Sequence, residues 1–128
     1  MLEAKTERVE NMAGGKGHVL IKRILGEKEL NGKCRMYSQV TLEPGCSLGY
    51  HIHHNESETY YILKGEGVYN DNGTSCPVKA GDITFTPDGK GHGLENTGGV
   101  DYSGLIQKKT DRVCGCITAE ARWCVRFF

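Results

Sequence analysis

Short alternating runs broken by turn signals recur from residue 18 to residue 109, and they constrain this chain more than anything else in it. Residues 18–25 (HVLIKRIL) alternate or run apolar. Residues 34–42 (CRMYSQVTL) set Met36, Ser38, Val40 and Leu42 on one face and Arg35, Tyr37, Gln39 and Thr41 on the other, the period-two pattern of a half-buried strand. Further extended segments are predicted at 49–53, 58–65, 66–70, 74–79, 82–87, 91–97 and 101–109. The punctuation between them is turn chemistry: Asn31-Gly32, Glu43-Pro44-Gly45, Asn55-Glu56-Ser57, Asp71-Asn72-Gly73 and Ala80-Gly81. Asp71-Asn72-Gly73 is the clearest type I′ hairpin signal. About nine short strands with no helix between them predict an antiparallel all-β sandwich or barrel. Weak helical turns are expected only at residues 1–10 and 118–126.

At 128 residues the chain has the size of one domain and can bury a real core. Eighteen glycines against three prolines fit a chain made of many tight turns. Sixteen basic and sixteen acidic residues cancel, so neither nucleic acid nor an anionic membrane surface is an expected partner. No apolar run approaches the ~20 residues that span a bilayer. The first residues are polar and carry acids, unlike a secretory or mitochondrial leader, and a cytoplasmic location is expected. The six cysteines, at 34, 46, 76, 114, 116 and 124, are then reduced thiols rather than disulfides. Cys114 and Cys116 lack the second pair that a cysteine zinc site needs.

The candidate chemistry lies in histidines. His51 and His53 are two apart on an extended segment, so both leave the same face of the strand. Alone, an H-x-H pair describes two surface histidines equally well. Glu58 has the wrong parity if that strand continues, but the polar stretch 54–57 looks like a turn, which resets parity and lets Glu58 point inward. His92 follows a glycine-rich turn, where another part of a barrel can bring it alongside. Three imidazoles and one carboxylate suit one divalent transition metal (Mn, Fe, Ni, Co or Zn) and hold too much nitrogen for Ca or Mg. His18 reads as an ordinary strand residue and His54 as solvent-facing.

The run from Gly45 to Gly65, with His51, His53 and Glu58, resembles the first cupin motif, G(x)5HxH(x)4E(x)6G, at every specified position. The run from Gly81 to Asn96, with Pro87, Gly89 and His92, resembles the second, G(x)5PxG(x)2H(x)3N. Fifteen residues separate Gly65 from Gly81, as in small single-domain microbial cupins of the cupin 2 conserved-barrel type. The resemblance implies a double-stranded β-helix, a jelly-roll barrel, with His51, His53, Glu58 and His92 as metal ligands inside one end. Residues 18–109 would be the barrel, 1–17 an N-terminal extension and 110–128 a C-terminal tail. Gly45, Gly65, Gly81 and Gly89 fit sharp turns, Pro87 stiffens the turn that delivers His92, and Asn96 ties a loop through backbone hydrogen bonds.

The function implied is a metal-dependent enzyme acting on a small hydroxy-, keto- or sugar-type compound. Dioxygenation, decarboxylation, isomerisation and lyase chemistry all stay open. Glu58 is the one candidate base. The alternative is a non-catalytic module that binds a small molecule or sugar beside a bound metal. By alternation from the ligands, Tyr60, Ile62, Phe85, Leu94 and Gln107 are expected to line the pocket. The resemblance also implies a homodimer, with residues 19–25 and the Cys- and aromatic-rich tail as candidate contact surfaces.

Overall fold

A computed structural model describes residues 1–110. Ten strands run through it: β1 (Thr6–Glu10), β2 (His18–Leu25), β3 (Cys34–Leu42), β4 (Ser47–Ile52), β5 (Glu56–Lys64), β6 (Glu66–Asp71), β7 (Thr74–Lys79), β8 (Ile83–Thr86), β9 (Gly91–Glu95) and β10 (Tyr102–Thr110). They form a six-stranded sheet in the order β1-β2-β3-β10-β5-β8 and a four-stranded sheet in the order β4-β9-β6-β7. All pairings are antiparallel. The two sheets close on one core, giving the double-stranded β-helix that the motifs imply. No helix among the described residues is long and apolar enough to cross a membrane.

The alternation predicted for β3 holds. Met36, Ser38, Val40 and Leu42 are buried, while Arg35 is exposed and Tyr37, Gln39 and Thr41 are half-buried. Beside them in the same sheet stand Val19 and Ile21 from β2, Tyr60 and Ile62 from β5, and Tyr102 and Ile106 from β10, and the other sheet adds Tyr69 from β6 and Leu94 from β9. Each such side chain stabilises the fold by roughly 1.5–3 kcal/mol through the apolar area it removes from water. The register then sets the rows across the larger sheet. Met36 faces Lys108, Lys108 faces Glu58, and Glu58 faces Thr86, so one inward row carries a lysine beside a glutamate.

Turn chemistry explains most boundaries. Asn72 and Gly73 adopt φ of 49° and 100°, as a type I′ hairpin requires. Gly65 has φ of 84°, and a Cβ there would meet the Asp101 carbonyl oxygen at 2.7 Å, so glycine is needed twice over. Asn96, fully buried, donates from Nδ2 to the Leu42 and Val100 carbonyls at 2.8 and 2.9 Å. That ties the loop before β10, the role expected of it.

The Asn31-Gly32 turn signal holds, both residues lying in the left-handed region at φ of 49° and 70°, and a single helical turn, α1 (Glu27–Leu30), precedes them. Two expectations need correcting. Residues 1–10 are not helical: Thr6–Glu10 is a strand, because pairing with Lys22 through His18 gives its backbone the partners a short helix would have to find alone. The surface proposed around 19–25 is not a sheet edge: β2 lies between β1 and β3, and Val19 and Ile21 point into the core. The helix expected at 118–126, the tail surface and Cys114, Cys116 and Cys124 lie outside the described residues. Cys34, Cys46 and Cys76 are free thiols.

Candidate metal centre

His51 comes from the end of β4, and His53 follows just after it. Beyond Leu48 the β4–β9 register slips, so that Leu48 faces Leu94 and His51 faces His92. Three steps along β4 therefore match two along β9. This bulge turns His51 inward, where Leu48 also lines the cavity. Asn55, at φ of 61°, then redirects the chain, with its backbone N–H donating to Asp88 Oδ1 at 2.7 Å. The new strand starts at Glu56, two residues before the expected start, and carries Glu56, Glu58, Tyr60 and Ile62 on its buried face. β9 delivers His92.

His51, His53, Glu58 and His92 each offer one donor atom, and the four atoms lie within 4.8 Å of one another. His92 Nε2 is 3.2 Å from His51 Nε2 and 2.9 Å from His53 Nε2. Glu58 Oε2 is 2.9 Å from His53 Nε2. Two donors about 2.1 Å from one ion lie about 3.0 Å apart at right angles and about 3.4 Å apart at the tetrahedral angle. The three short edges average nearer the right angle. The four groups are thus positioned for one metal ion.

What holds each ring supports this. His51 Nδ1–H donates to the Gly49 carbonyl at 2.8 Å. His53 Nδ1–H donates to Glu56 Oε1 at 2.9 Å, and Glu56 in turn accepts from Arg35 Nε at 2.6 Å and Nη2 at 2.9 Å. The Tyr69 and Thr86 hydroxyls, 2.8 Å apart, contact His92 Nδ1 at 2.7 and 2.9 Å. Because their Nδ1–H groups face obligate acceptors, His51 and His53 turn the lone pair of Nε2 inward. Lone pairs facing each other at 3 Å repel, and a cation among them removes the conflict. Neutral rings also leave the buried Glu58 Oε2 without a hydrogen bond.

The charge states suit metal ligation. Burial pushes the His92 pKa down to about 3 and lowers that of His51, so both rings stay neutral. His53 is raised, chiefly because a proton on Nε2 would face Glu58. Burial alone would raise Glu58, but His53, Lys108 and His92 outweigh it and keep the carboxylate ionised. Burial likewise opposes ionisation of Glu56, yet Arg35 and His53 hold its pKa at about 2.

A model of the cupin domain matches residues 38–103, and both motifs lie inside that span. The chain belongs to the cupin family. Among curated relatives, this cupin is 48% identical over 103 residues to an oxalate-binding protein of Thermotoga maritima, covering 80% of this chain and 85% of that protein. Among solved structures it resembles a predicted oxalate decarboxylase of Thermotoga maritima at a TM-score of 0.81 and 44% identity, over 84% of this chain and 94% of that one. It is also 41% identical over 58 residues to the (S)-ureidoglycine aminohydrolase of Escherichia coli, covering 45% of this cupin and 22% of that enzyme.

The expected pocket lining is partly rearranged. Tyr60 does line the cavity beside His51 and Glu58, together with Met12, Ile21, Met36, Val40, Leu48, Ile106 and Lys108. Ile62 and Leu94 sit in the core away from it. Phe85, 58% exposed, and Gln107 point outward, because on their strands Thr86 and Lys108 take the inward positions. Several contributors escaped the sequence reading, Lys108, Glu56 and Met12 among them. Lys108 was signalled by parity with Ile106 on β10, and Glu56 by parity with Glu58. Met12 had no signal: it sits in the loop before β2, whose backbone packs against Ser47 and Gly49 of β4. His54 is exposed, as expected, while His18 pairs with Glu43 at 3.2 Å.

Proposed function

We propose that this cupin holds one divalent transition metal on His51, His53, Glu58 and His92 and uses it to bind a small chelating dicarboxylate of the oxalate class. The observation that carries the reading is the convergence of the four donors, all within 4.8 Å of one another, beside a small cavity that His51 and Glu58 line. Four protein ligands leave two positions of an octahedral ion, enough for two oxygens of one ligand. The cavity is small, and its walls are mainly aliphatic. Such a space favours a compact ligand. Oxalate is the smallest dicarboxylate that chelates, and the similarity to an oxalate-binding protein across most of both chains supports the choice.

When bound, the metal supplies a Lewis acid. The protein's own part is to orient three imidazoles through Gly49, Glu56, Tyr69 and Thr86, to keep Glu58 ionised, and to exclude bulk water with Met12, Ile21, Met36 and Val40. Turnover is the second reading, and Tyr60 favours it. Its buried hydroxyl is 3.5 Å from His92 Nε2, and burial with Glu58 nearby keeps it protonated, so an O–H group stands beside the ligand position. Decarboxylation of oxalate to formate and carbon dioxide consumes one proton.

Elemental analysis of protein purified without added metal, then calorimetry of the metal-loaded chain with oxalate, tests the reading. One transition metal per chain and saturable oxalate binding that chelator treatment abolishes are expected. Formate release from the same mixture would establish turnover, and its absence would leave a binding protein. Metal-loaded protein that takes up no oxalate would refute the proposal.

A further inference from the structure

Lys108 has no part in the four-donor set, yet the fold spends an interior position on it. Its Cα pairs with Glu58 on one side and Met36 on the other, which fixes its side chain on the inward face between Ile106 and the metal centre. The side chain is only 10% exposed, and Nζ lies 3.5 Å from Glu58 Oε2, its one ion-pair partner among the described residues. That separation is too long for a strong charge-assisted hydrogen bond, and an ammonium has three donors to place. The rest of the cavity wall gives them little. Apart from His51, Glu58 and Tyr60, it is Met12, Ile21, Met36, Val40, Leu48 and Ile106.

Charge counting sharpens the point. Glu58 can balance Lys108 while the centre holds no cation. Once a divalent ion takes that carboxylate, a buried ammonium stands beside a dication with one negative charge between them. The sum is +2, and burying it without compensation is costly. A ligand carrying two negative charges brings the cavity to neutrality, while a monoanion or a neutral chelator leaves excess positive charge. Resting on the metal-dependent reading above, we propose that Lys108 binds the carboxylate oxygens that face away from the metal. It thereby makes the site selective for dianions.

The test uses the full chain, manganese-loaded, with oxalate as the dianion and glycolate as a monoanionic chelator of similar size. Metal content by elemental analysis and affinity by calorimetry are read for wild type, K108M and K108R. K108M should keep one ion per chain and lose about 10- to 100-fold in oxalate affinity. Its glycolate affinity should change far less, so that the oxalate-to-glycolate preference collapses. K108R should retain most of the preference. A K108M protein that keeps the wild-type preference overturns the assignment while leaving the oxalate reading intact. Loss of metal from both K108M and K108R would also overturn it, since Lys108 would then serve the metal and not the anion. Wild-type protein that holds metal but binds neither compound overturns both readings.

Discussion

Replacing Glu56 with alanine should weaken metal binding about 10- to 100-fold, although Glu56 touches no metal position. Its carboxylate accepts three hydrogen bonds, two from Arg35 and one from His53. The Arg35 side chain is 61% exposed, so its guanidinium regains water and little is lost there. The His53 side chain is 2% exposed and cannot rehydrate. An abandoned Nδ1–H costs about 1–3 kcal/mol. It also frees the ring to carry its proton on Nε2, where the ion needs a lone pair. The ratio between wild type and E56A should narrow as pH falls below neutral, because Glu56 helps to raise the His53 pKa and a proton on that ring competes with the ion. With its pKa depressed from 4.5 to about 2, Glu56 itself stays ionised above 4.5 and loses its charge only as pH falls toward 2. Chelator-competition titration reads the affinity, and circular dichroism checks the fold. E56Q, which keeps an acceptor for His53, should lose less than E56A. A folded E56A protein with metal affinity within about twofold of wild type would refute the reasoning.

Metal-free protein should melt at a lower temperature at pH 5 than at pH 8. The lowered pKa values of His51 and His92 contribute stability that is full above the ordinary 6.5 and is lost as pH falls, for His92 toward about 3. The raised His53 acts oppositely, contributing below 6.5 and fading as pH rises through its folded value; a melting temperature that climbs on acidification would mean that it dominates. Ala13, held at φ 53° and ψ 30°, should gain about 1 kcal/mol on substitution by glycine, roughly 4 °C in Tm by calorimetry, and an unchanged Tm would count against strain there. The edge strand β8 leaves Ile83 68% and Phe85 58% exposed, and such an apolar edge predicts a dimer in light scattering that I83K dissociates. A monomeric wild-type chain at micromolar concentration would remove that expectation.

The features that could be read from the sequence were those set by local chemistry. Asn72-Gly73 announces its hairpin because few other pairs accept positive φ at both positions, and β3 announces its faces because one of them is wholly buried. The pair His51 and His53 and the turn that re-aims Glu58 were visible for the same reason. Parity counted across an irregularity was not. The bulge between Leu48 and His51 leaves no trace in the spelling of SLGYH, and counting outward from the ligands put Phe85 and Gln107 on the wrong face. Counting along β10 itself, from Tyr102 through Ile106, arrives at Lys108. The strand β1 was hidden because TERVE gains its structure from β2, and the parity of Glu56 with Glu58 was overridden by a polar stretch that reads as a turn.

β10 is the last described strand in the chain, yet it lies in the interior of the six-stranded sheet, hydrogen-bonded to β3 on one side and β5 on the other. Until residues 102–110 arrive, β1-β2-β3 and β5-β8 are two unjoined ribbons, each with a bare edge and an uncovered apolar face. Three metal donors, at 51, 53 and 58, sit within a single local segment and can meet a cation early, whereas the sheet behind them waits for its final strand. Closure therefore depends on contacts distant in sequence, which makes folding slow and all-or-none. A nascent chain that stalls before β10 would be exposed to edge-to-edge association for as long as the gap stays open.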